Sequence, residues 1–178
     1  MDFQSFLAQS GELITLQLGE HVFQQGEADR FLYFVRSGLL KAYYITSDGK
    51  ESVKSFIQPG DFIGSLTSAY KRERCSFNLV CLQPASVLRI EFDALERQSR
   101  QHLAIAAHVI DFLLNFAMKK ERREMEFLSL SAEERYRLLL ERSPELLEQV
   151  RQKDIARYLG VTPVALSRIR RRVGGGKE

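Results

Sequence analysis

Short apolar runs separated by turn residues fill the first half of the chain. Between residues 13 and 91 these runs recur about every 8 to 12 residues, a spacing typical of β sandwiches and jelly-roll barrels. The turn signals between the runs are Gly26-Glu27, Ser37-Gly38, Asp48-Gly49, Pro59-Gly60 and Gln83-Pro84. Asp48-Gly49 supplies the positive φ angles of a tight hairpin turn. The pattern therefore predicts an N-terminal β domain whose strands end at these turns.

From residue 92 the hydrophobic period becomes helical, which predicts a short helix to about 100 and a long one over 101–128. One apolar row of the long helix follows a spacing of about 3.5 residues; it contains Ile110, Leu114, Met118, Met125 and Leu128. A second row lies on another face and contains Ile105, Val109, Phe112 and Phe116. Two apolar faces need two partners, and we expect these to be the β domain and a parallel second copy.

The alternative for the long helix is complete burial inside one domain. The charged run at 119–124 argues against it, because such a run suits a coiled coil whose outer surface faces water. We therefore predict that the first apolar row is a homodimer interface.

A second domain is expected to begin near residue 130. Ser131 followed three positions later by Glu134 has the form of a capping box at a helix N-terminus. This predicts a helix over 132–142, a break at Ser143-Pro144 and a short helix over 145–149.

Residues 152–172 have the pattern of two helices joined by a tight turn. Gly160 is suited to end the first helix, while Thr162 and Pro163 are suited to begin the second. With the apolar residues turned inward, the outward positions of the second helix are Ser167, Arg168, Arg171 and Arg172. A basic, hydroxyl-bearing helix after a short turn is typical of a helix-turn-helix that enters the DNA major groove. A generic helical hairpin is the alternative.

The distribution of charge supports the DNA-binding alternative. The net charge is only +3, but residues 151–178 contain eight basic and two acidic side chains and carry +6, which leaves −3 for the first 150 residues. A basic segment on an acidic body suggests a polyanionic partner. On charge alone, a solvated basic tail is equally compatible.

Metal and cofactor chemistry finds little support in the sequence. Cys75 and Cys81 would be about 20 Å apart on one strand, too far for a disulfide, and we predict buried free thiols. Metal-dependent enzymes on related barrels need several histidines and a carboxylate, but His21 is the only histidine in the β region. No catalytic triad can be assembled from the spacing. We expect no cofactor, no metal and no enzyme activity.

Targeting signals are also missing from the pattern. No 18-residue apolar segment is present, and the first residues lack the basic start and apolar core of a secretory signal. We expect a cytoplasmic protein without a membrane partner.

Taken together, these motifs resemble the CRP/FNR family of bacterial transcription regulators over nearly the whole chain. The residues that carry the resemblance are 22–27, 31–38, 59–64, 154–160 and 166–169. The resemblance implies an α+β fold with an N-terminal jelly-roll, cyclic-nucleotide-binding-like sensor domain (1–100), a long dimerisation helix and hinge (101–129) and a helix-turn-helix domain (130–178). It also implies a homodimer on near-palindromic double-stranded DNA, with RNA polymerase as a further partner and a small-molecule effector of unknown identity.

The effector pocket departs from the cyclic-AMP-binding members of the family. By alignment, it is formed by Gly64, Ser65, Leu66, Arg74, Ser76 and Met118. Ser65 stands where those members have a ribose-binding glutamate, and Cys75 separates the arginine and serine that hold the phosphate. An unpaired buried ribose hydroxyl costs about 1–3 kcal/mol. We predict that cyclic AMP is not the physiological effector and that an effector can be absent altogether.

The DNA-reading face departs from the family as well. Its expected members are Arg151, Gln152, Thr162, Val164, Ser167, Arg168, Arg171 and Arg172. Val164 and Pro163 replace a glutamate and an arginine of some relatives, so we expect a partly altered half-site. The family's C-terminal β wing is expected to be truncated, since only residues 173–178 follow the helix. The alternative function is a sensor or interaction module that no longer binds DNA specifically.

Overall fold

A computed structural model describes residues 1–174 of the 178-residue chain. The fold is α+β, as predicted. Two compact units are present: one contains Met1–Lys50 and Lys54–Phe116, and the other contains Glu51–Val53 and the chain from Ala117. The division into 1–100, 101–129 and 130–178 stays a prediction. The expected absence of a wing falls largely on residues 175–178, which lie outside the described residues.

Within residues 1–174, six strands form one sheet. The strands are β1 (Gly11–Leu16), β2 (His21–Phe23), β3 (Phe31–Ile45), β4 (Glu51–Ile57), β5 (Phe62–Ile63) and β6 (Asn78–Glu91). The order is β1-β6-β3-β4, with β2 paired to β6 and β5 paired to β3. The Asp48-Gly49 turn is confirmed, because Gly49 has φ 80° and its N–H donates to the Thr46 carbonyl oxygen over 2.9 Å.

Two predicted strand breaks are wrong. β3 continues through Ser37-Gly38 and β6 continues through Gln83-Pro84. The two sites pack against each other, since a Cβ on Gly38 would lie 2.5 Å from the Pro84 carbonyl oxygen. The pairing register shifts here as well, between Val35 and Leu40. Glycine and proline therefore mark bulges in long strands at this point, a role that local sequence does not distinguish from a turn.

The long strands β3 and β6 contribute to two separate cores. Tyr33 and Val87 belong to a cluster on one face of the sheet. Leu32 and Ile90 belong to a cluster on the other face. Because side chains alternate between the faces of a strand, neighbouring residues such as Leu32 and Tyr33 enter different cores.

Helices cover the second of these cores. Four helices begin in the first unit: α1 (Phe3–Ser10), α2 (Leu66–Lys71), α3 (Phe92–Gln101) and α4 (Leu103–Ser129). Phe6, Leu95 and Ile105 bring α1, α3 and α4 into the cluster. The sequence pattern did not predict α1 or α2. The N-cap of α1 is Asp2, which accepts a hydrogen bond from the Ser5 N–H over 2.8 Å.

The second unit contains the end of α4 and four further helices. These are α5 (Ala132–Arg142), α6 (Pro144–Gln149), α7 (Gln152–Leu159) and α8 (Pro163–Gly174). The capping box is confirmed: the Ser131 hydroxyl accepts from the Glu134 N–H, and the Glu134 carboxylate accepts from the Ser131 N–H. Both bonds satisfy backbone donors that a helix start leaves unpaired.

Cys75 and Cys81 are free and buried, as predicted. Burial raises the pKa of both thiols, which keeps them protonated at neutral pH. Over the described part of the chain, no helix has both the length and the apolarity needed to cross a bilayer.

Candidate nucleic-acid interface

The tight turn between α7 and α8 is built as the sequence predicts. Gly160 ends α7 in the left-handed conformation at φ 72°. Thr162 precedes α8, and its hydroxyl accepts a hydrogen bond from the Ala165 N–H over 3.2 Å. Leu166 and Ile169 are buried, so the opposite side of α8 is turned outward. The two helices therefore form a helix-turn-helix with α8 in the recognition position.

The outward face of α8 carries Arg168 and Arg171, two cations that have no ion-pair partner within residues 1–174. Val164, Ser167, Arg168 and Arg171 are exposed, and their spacing of i, i+3, i+4 and i+7 places them on one face of the helix. Neither Arg168 nor Arg171 forms an ion pair with any of the described residues. Free cations beside a small hydroxyl suit contacts with phosphates and base edges.

Arg172, another predicted DNA contact, has a partner on α5. Its guanidinium lies 2.8 Å from the Glu133 carboxylate, which also pairs with Arg137 at 3.1 Å. The hydrogen bond from Arg172 lowers the pKa of Glu133 most, and the one from Arg137 lowers it further. Among the remaining predicted contacts, Arg151 and Gln152 are exposed at the start of α7. The roles of these residues stay predictions.

An open cleft of about 880 Å³ lies between α5 and α8. Its lining includes Ser167, Arg170 and Arg171 of α8, and it adds Arg137 of α5, which the sequence pattern did not single out. Arg137 lies on a helix with no DNA-binding pattern, so only the packing of α5 against α8 brings it beside the recognition helix. Arg137 is paired with Glu133, and Glu141 also lines the cleft, so among the described residues the unpaired positive charge beside the cleft comes from α8.

The predicted dimer row of α4 is exposed throughout. Ile110, Leu114, Met118, Met125 and Leu128 have relative exposures between 51% and 80%. The second row faces the first unit, as expected: Ile105 is fully buried there, and the Phe112 ring lies 5.3 Å from that of Phe62. The second row of α4 thus packs against its own chain, while the first row exposes five large apolar side chains to water.

The predicted effector-pocket residues differ in burial and in surroundings. Gly64 and Ser65 precede α2; a Cβ on Gly64 would lie 2.7 Å from the Leu32 side chain, and Ser65 is buried. Leu66 packs against the helix-covered core. Arg74 and Ser76 are exposed, and Met118 lies on the part of α4 that is counted with the second unit. Their common role stays a prediction.

A buried polar cluster, which the sequence did not reveal, adjoins Ser65. Asp29 is 8% exposed; its Oδ1 accepts from the Tyr33 hydroxyl over 3.1 Å, and its N–H donates to the Ser68 hydroxyl over 2.9 Å. Burial raises the pKa of Asp29. Burial also raises the pKa of Cys75, and hydrogen bonds with Ser68 and Ser65 oppose that rise. Protein groups therefore supply partners to Asp29 Oδ1, whereas its buried Oδ2 has no hydrogen-bond partner among the described residues.

No group of three or more potential metal ligands occurs within residues 1–174. The three histidines have other contacts. His21 lies 3.0 Å from the Tyr43 hydroxyl, the His108 ring lies 4.7 Å from that of Phe3, and His102 lies near the N-terminal amine.

Comparison with known proteins identifies the family. The family model described as "Cyclic nucleotide-binding domain" matches residues 13–102, just over half of the chain. The chain belongs to the cyclic nucleotide-binding domain family. Its resemblance to the CRP/FNR regulators of that family is also confirmed by individual relatives.

The curated relatives are named as regulators, and one of them, from Pseudomonas aeruginosa, is named as a transcriptional activator. The chain is 28% identical to the regulatory protein HlyX of Actinobacillus pleuropneumoniae and 26% identical to electron transport regulator A of Shewanella oneidensis. Each alignment covers 86% of this chain, but only 68% and 65% of those relatives. The chain thus spans about two thirds of the length of each of these relatives.

Solved structures share the fold of this family member. FixK2 from Bradyrhizobium japonicum has a TM-score of 0.77 at 20% identity, with 93% of this chain and 86% of that chain covered. The c-di-GMP-responsive global regulator CLP of Xanthomonas campestris has a TM-score of 0.74 at 19% identity, with 97% and 90% covered.

Proposed function

We propose that this protein is a DNA-binding transcription regulator of the CRP/FNR type. The observation that carries the proposal is the outward face of α8 on a helix-turn-helix, where Arg168 and Arg171 lie beside Ser167 with no ion pair to any residue that the structure describes. Arginine pairs with guanine through two hydrogen bonds and also neutralises phosphates, while serine contacts either group. Val164 is exposed on the same face and would meet base edges without hydrogen-bonding them.

The exposed row of α4 supports a homodimer. Five large apolar side chains at heptad-like spacing form a stripe, interrupted at Glu121, and a parallel second copy offers the same stripe in the same register. Two copies related by a twofold axis would present two recognition helices to successive major grooves about 34 Å apart. The target would then be a near-palindromic duplex.

The remaining partners follow from the same proposal. A cytoplasmic regulator of transcription acts together with RNA polymerase, and an effector other than cyclic AMP is consistent with Ser65 at the pocket. Ser65 is buried and caps α2 with its hydroxyl, so a carboxylate that would pair with a ribose hydroxyl is missing there. We propose no resident cofactor.

Selection from a random duplex pool tests the proposed function. We expect the full chain to enrich a near-palindrome whose half-site centres lie about 10 base pairs apart. The half-sites should share part of the family pattern and differ at the base that faces Val164. If no sequence is enriched at either low or moderate salt, the protein is an interaction module without specific DNA binding.

Replacement of Arg171 tests whether the second free cation binds DNA phosphate. For Arg171→Ala, we expect the slope of log K against log salt to become shallower by about 0.9 for each phosphate that the arginine no longer neutralises, or about 1.8 for a dimer. Fluorescence anisotropy across a salt series measures this slope. An unchanged slope would show that Arg171 does not touch the backbone.

A further inference from the structure

The carboxyl end of α7 is held by arginines from two other helices. Arg123 on α4 donates to the Tyr158 carbonyl oxygen over 2.5 Å, and Arg135 on α5 donates to the Leu159 carbonyl oxygen over 3.0 Å. The last carbonyl groups of a helix lack partners within the helix and carry partial negative charge. Two guanidinium groups therefore satisfy the end of α7, immediately before the turn to α8.

Phe127 on α4 lies against both of these arginines. Its ring centroid is 5.0 Å from the guanidinium carbon of Arg123 and 4.5 Å from that of Arg135. Arg123 also stacks on the Tyr158 ring at 3.8 Å. Such cation–π contacts are stronger when the cation is desolvated. Arg123 is partly buried, and this burial also lowers its pKa. We call Arg123, Phe127 and Arg135 the clasp.

The turn of the helix-turn-helix fits closely against the clasp. A Cβ on Gly160 would lie 2.6 Å from the Phe127 ring, so the backbone of the turn touches the ring directly. Arg135 also donates to the Leu130 carbonyl oxygen over 2.5 Å, in the segment that joins α4 to α5. The clasp consequently connects the end of α4, the start of α5 and the turn before α8.

The same two turns of α4 carry part of the proposed dimer stripe. Met125 and Leu128 are exposed on one side of the helix, while Arg123 and Phe127 point to the other side and contact α7. A rigid connection at this place would fix the position of the recognition helix relative to the dimer axis. Its loss would leave each recognition helix intact but free to change its position relative to the other.

We propose that the clasp positions the helix-turn-helix on the end of α4 and thereby sets the half-site spacing that the homodimer accepts. This inference rests on the proposed function, since it assumes two recognition helices on one duplex. The clasp residues are positioning residues and need not touch DNA. Binding through two linked sites gains affinity only when geometry allows both to engage, so spacing selectivity measures the rigidity of the connection.

The test compares the DNA affinity of Phe127→Ala with that of the unaltered chain on three kinds of duplex. The first is the selected site, the second is the same site with one or two base pairs inserted at its centre, and the third is a single half-site. For the unaltered chain, we expect insertion to reduce affinity by at least about tenfold. For Phe127→Ala, we expect selected-site affinity to fall about tenfold and the insertion penalty to drop below about threefold. Affinity for the single half-site should stay unchanged.

Two further variants sharpen the test. Arg135→Lys keeps the charge but cannot reach several carbonyl groups at once, so it should relax spacing selectivity as well. Arg122→Ala removes a neighbouring exposed arginine from the same helix and should keep the spacing selectivity of the unaltered chain.

Three outcomes decide between the inferences. An unchanged insertion penalty in both clasp variants overturns the role of the clasp while leaving the proposed function intact. Equal losses on the single half-site and the full site also overturn it, because they indicate damage to the helix-turn-helix itself. Failure of the unaltered chain to bind any two-half-site duplex contradicts the proposed function.

Discussion

Leu114→Glu is expected to convert the protein from dimers to monomers. Leu114 lies near the middle of the exposed apolar stripe of α4 and is 56% exposed in the single chain, so the substitution leaves the fold of one copy unstrained. In a parallel pair the two glutamates would face each other without a partner. An uncompensated buried charge costs about 3–5 kcal/mol, which corresponds to dimerisation weakened by roughly 100- to 5,000-fold.

DNA affinity should fall together with dimerisation, because a monomer engages one half-site only. We expect sedimentation to show monomers at micromolar concentration and anisotropy to show full-site binding weakened at least about 100-fold. Asn115→Glu places the same charge on the next residue, outside the stripe, and should remain dimeric. Persistence of the dimer in Leu114→Glu would mean that another surface joins the copies.

Arg168→Ala is expected to remove most sequence-specific binding while leaving non-specific binding nearly intact. Arg168 is exposed on α8 and free of ion pairs within the described chain. An arginine–guanine pair contributes about 1–3 kcal/mol of discrimination. A dimer loses two such pairs, or about 2–6 kcal/mol, so affinity for the selected site should fall roughly 30-fold to 20,000-fold.

The comparison that decides this prediction is Arg168→Lys. Lysine keeps the charge but loses the planar fork that contacts two guanine atoms, so it should retain non-specific affinity and still lose specificity. Arg100→Ala removes an exposed positive charge on α3 and should leave both affinities unchanged. Equal losses of Arg168→Ala on the selected and scrambled duplexes would assign Arg168 to the phosphate backbone.

Much of the fold was predictable from local pattern. The capping box at Ser131, the turn at Gly160 and the two apolar rows of α4 are short-range features, since each depends on residues within one or two helical turns. The incorrect strand breaks at Ser37-Gly38 and Gln83-Pro84 have the opposite cause. There, glycine and proline meet across two strands almost fifty positions apart in sequence, and local pattern does not contain that pairing.

The candidate site also contains some features that local pattern predicts and others that depend on tertiary packing. The outward face of α8 follows from helical spacing, so Ser167, Arg168 and Arg171 were identified correctly as exposed. The ion pair between Arg172 and Glu133 was not foreseen, because the two residues lie 39 positions apart. Arg137 beside α8 and the buried carboxyl of Asp29 likewise depend on how distant elements pack.

By itself, the sequence determined the long helices, the β domain that precedes them and the polar or apolar faces of α4 and α8, because these depend on side-chain periodicity. The short helices α1 and α2 and the bulges within β3 and β6 did not follow from that periodicity. Tertiary structure alone decided which cations stay free to meet DNA and which are held by protein groups. It also brought Arg123, Phe127 and Arg135 from two helices to the end of a third. Charge-assisted hydrogen bonds and ring contacts require atoms to approach within a few ångströms, and only the folded chain brings these residues that close.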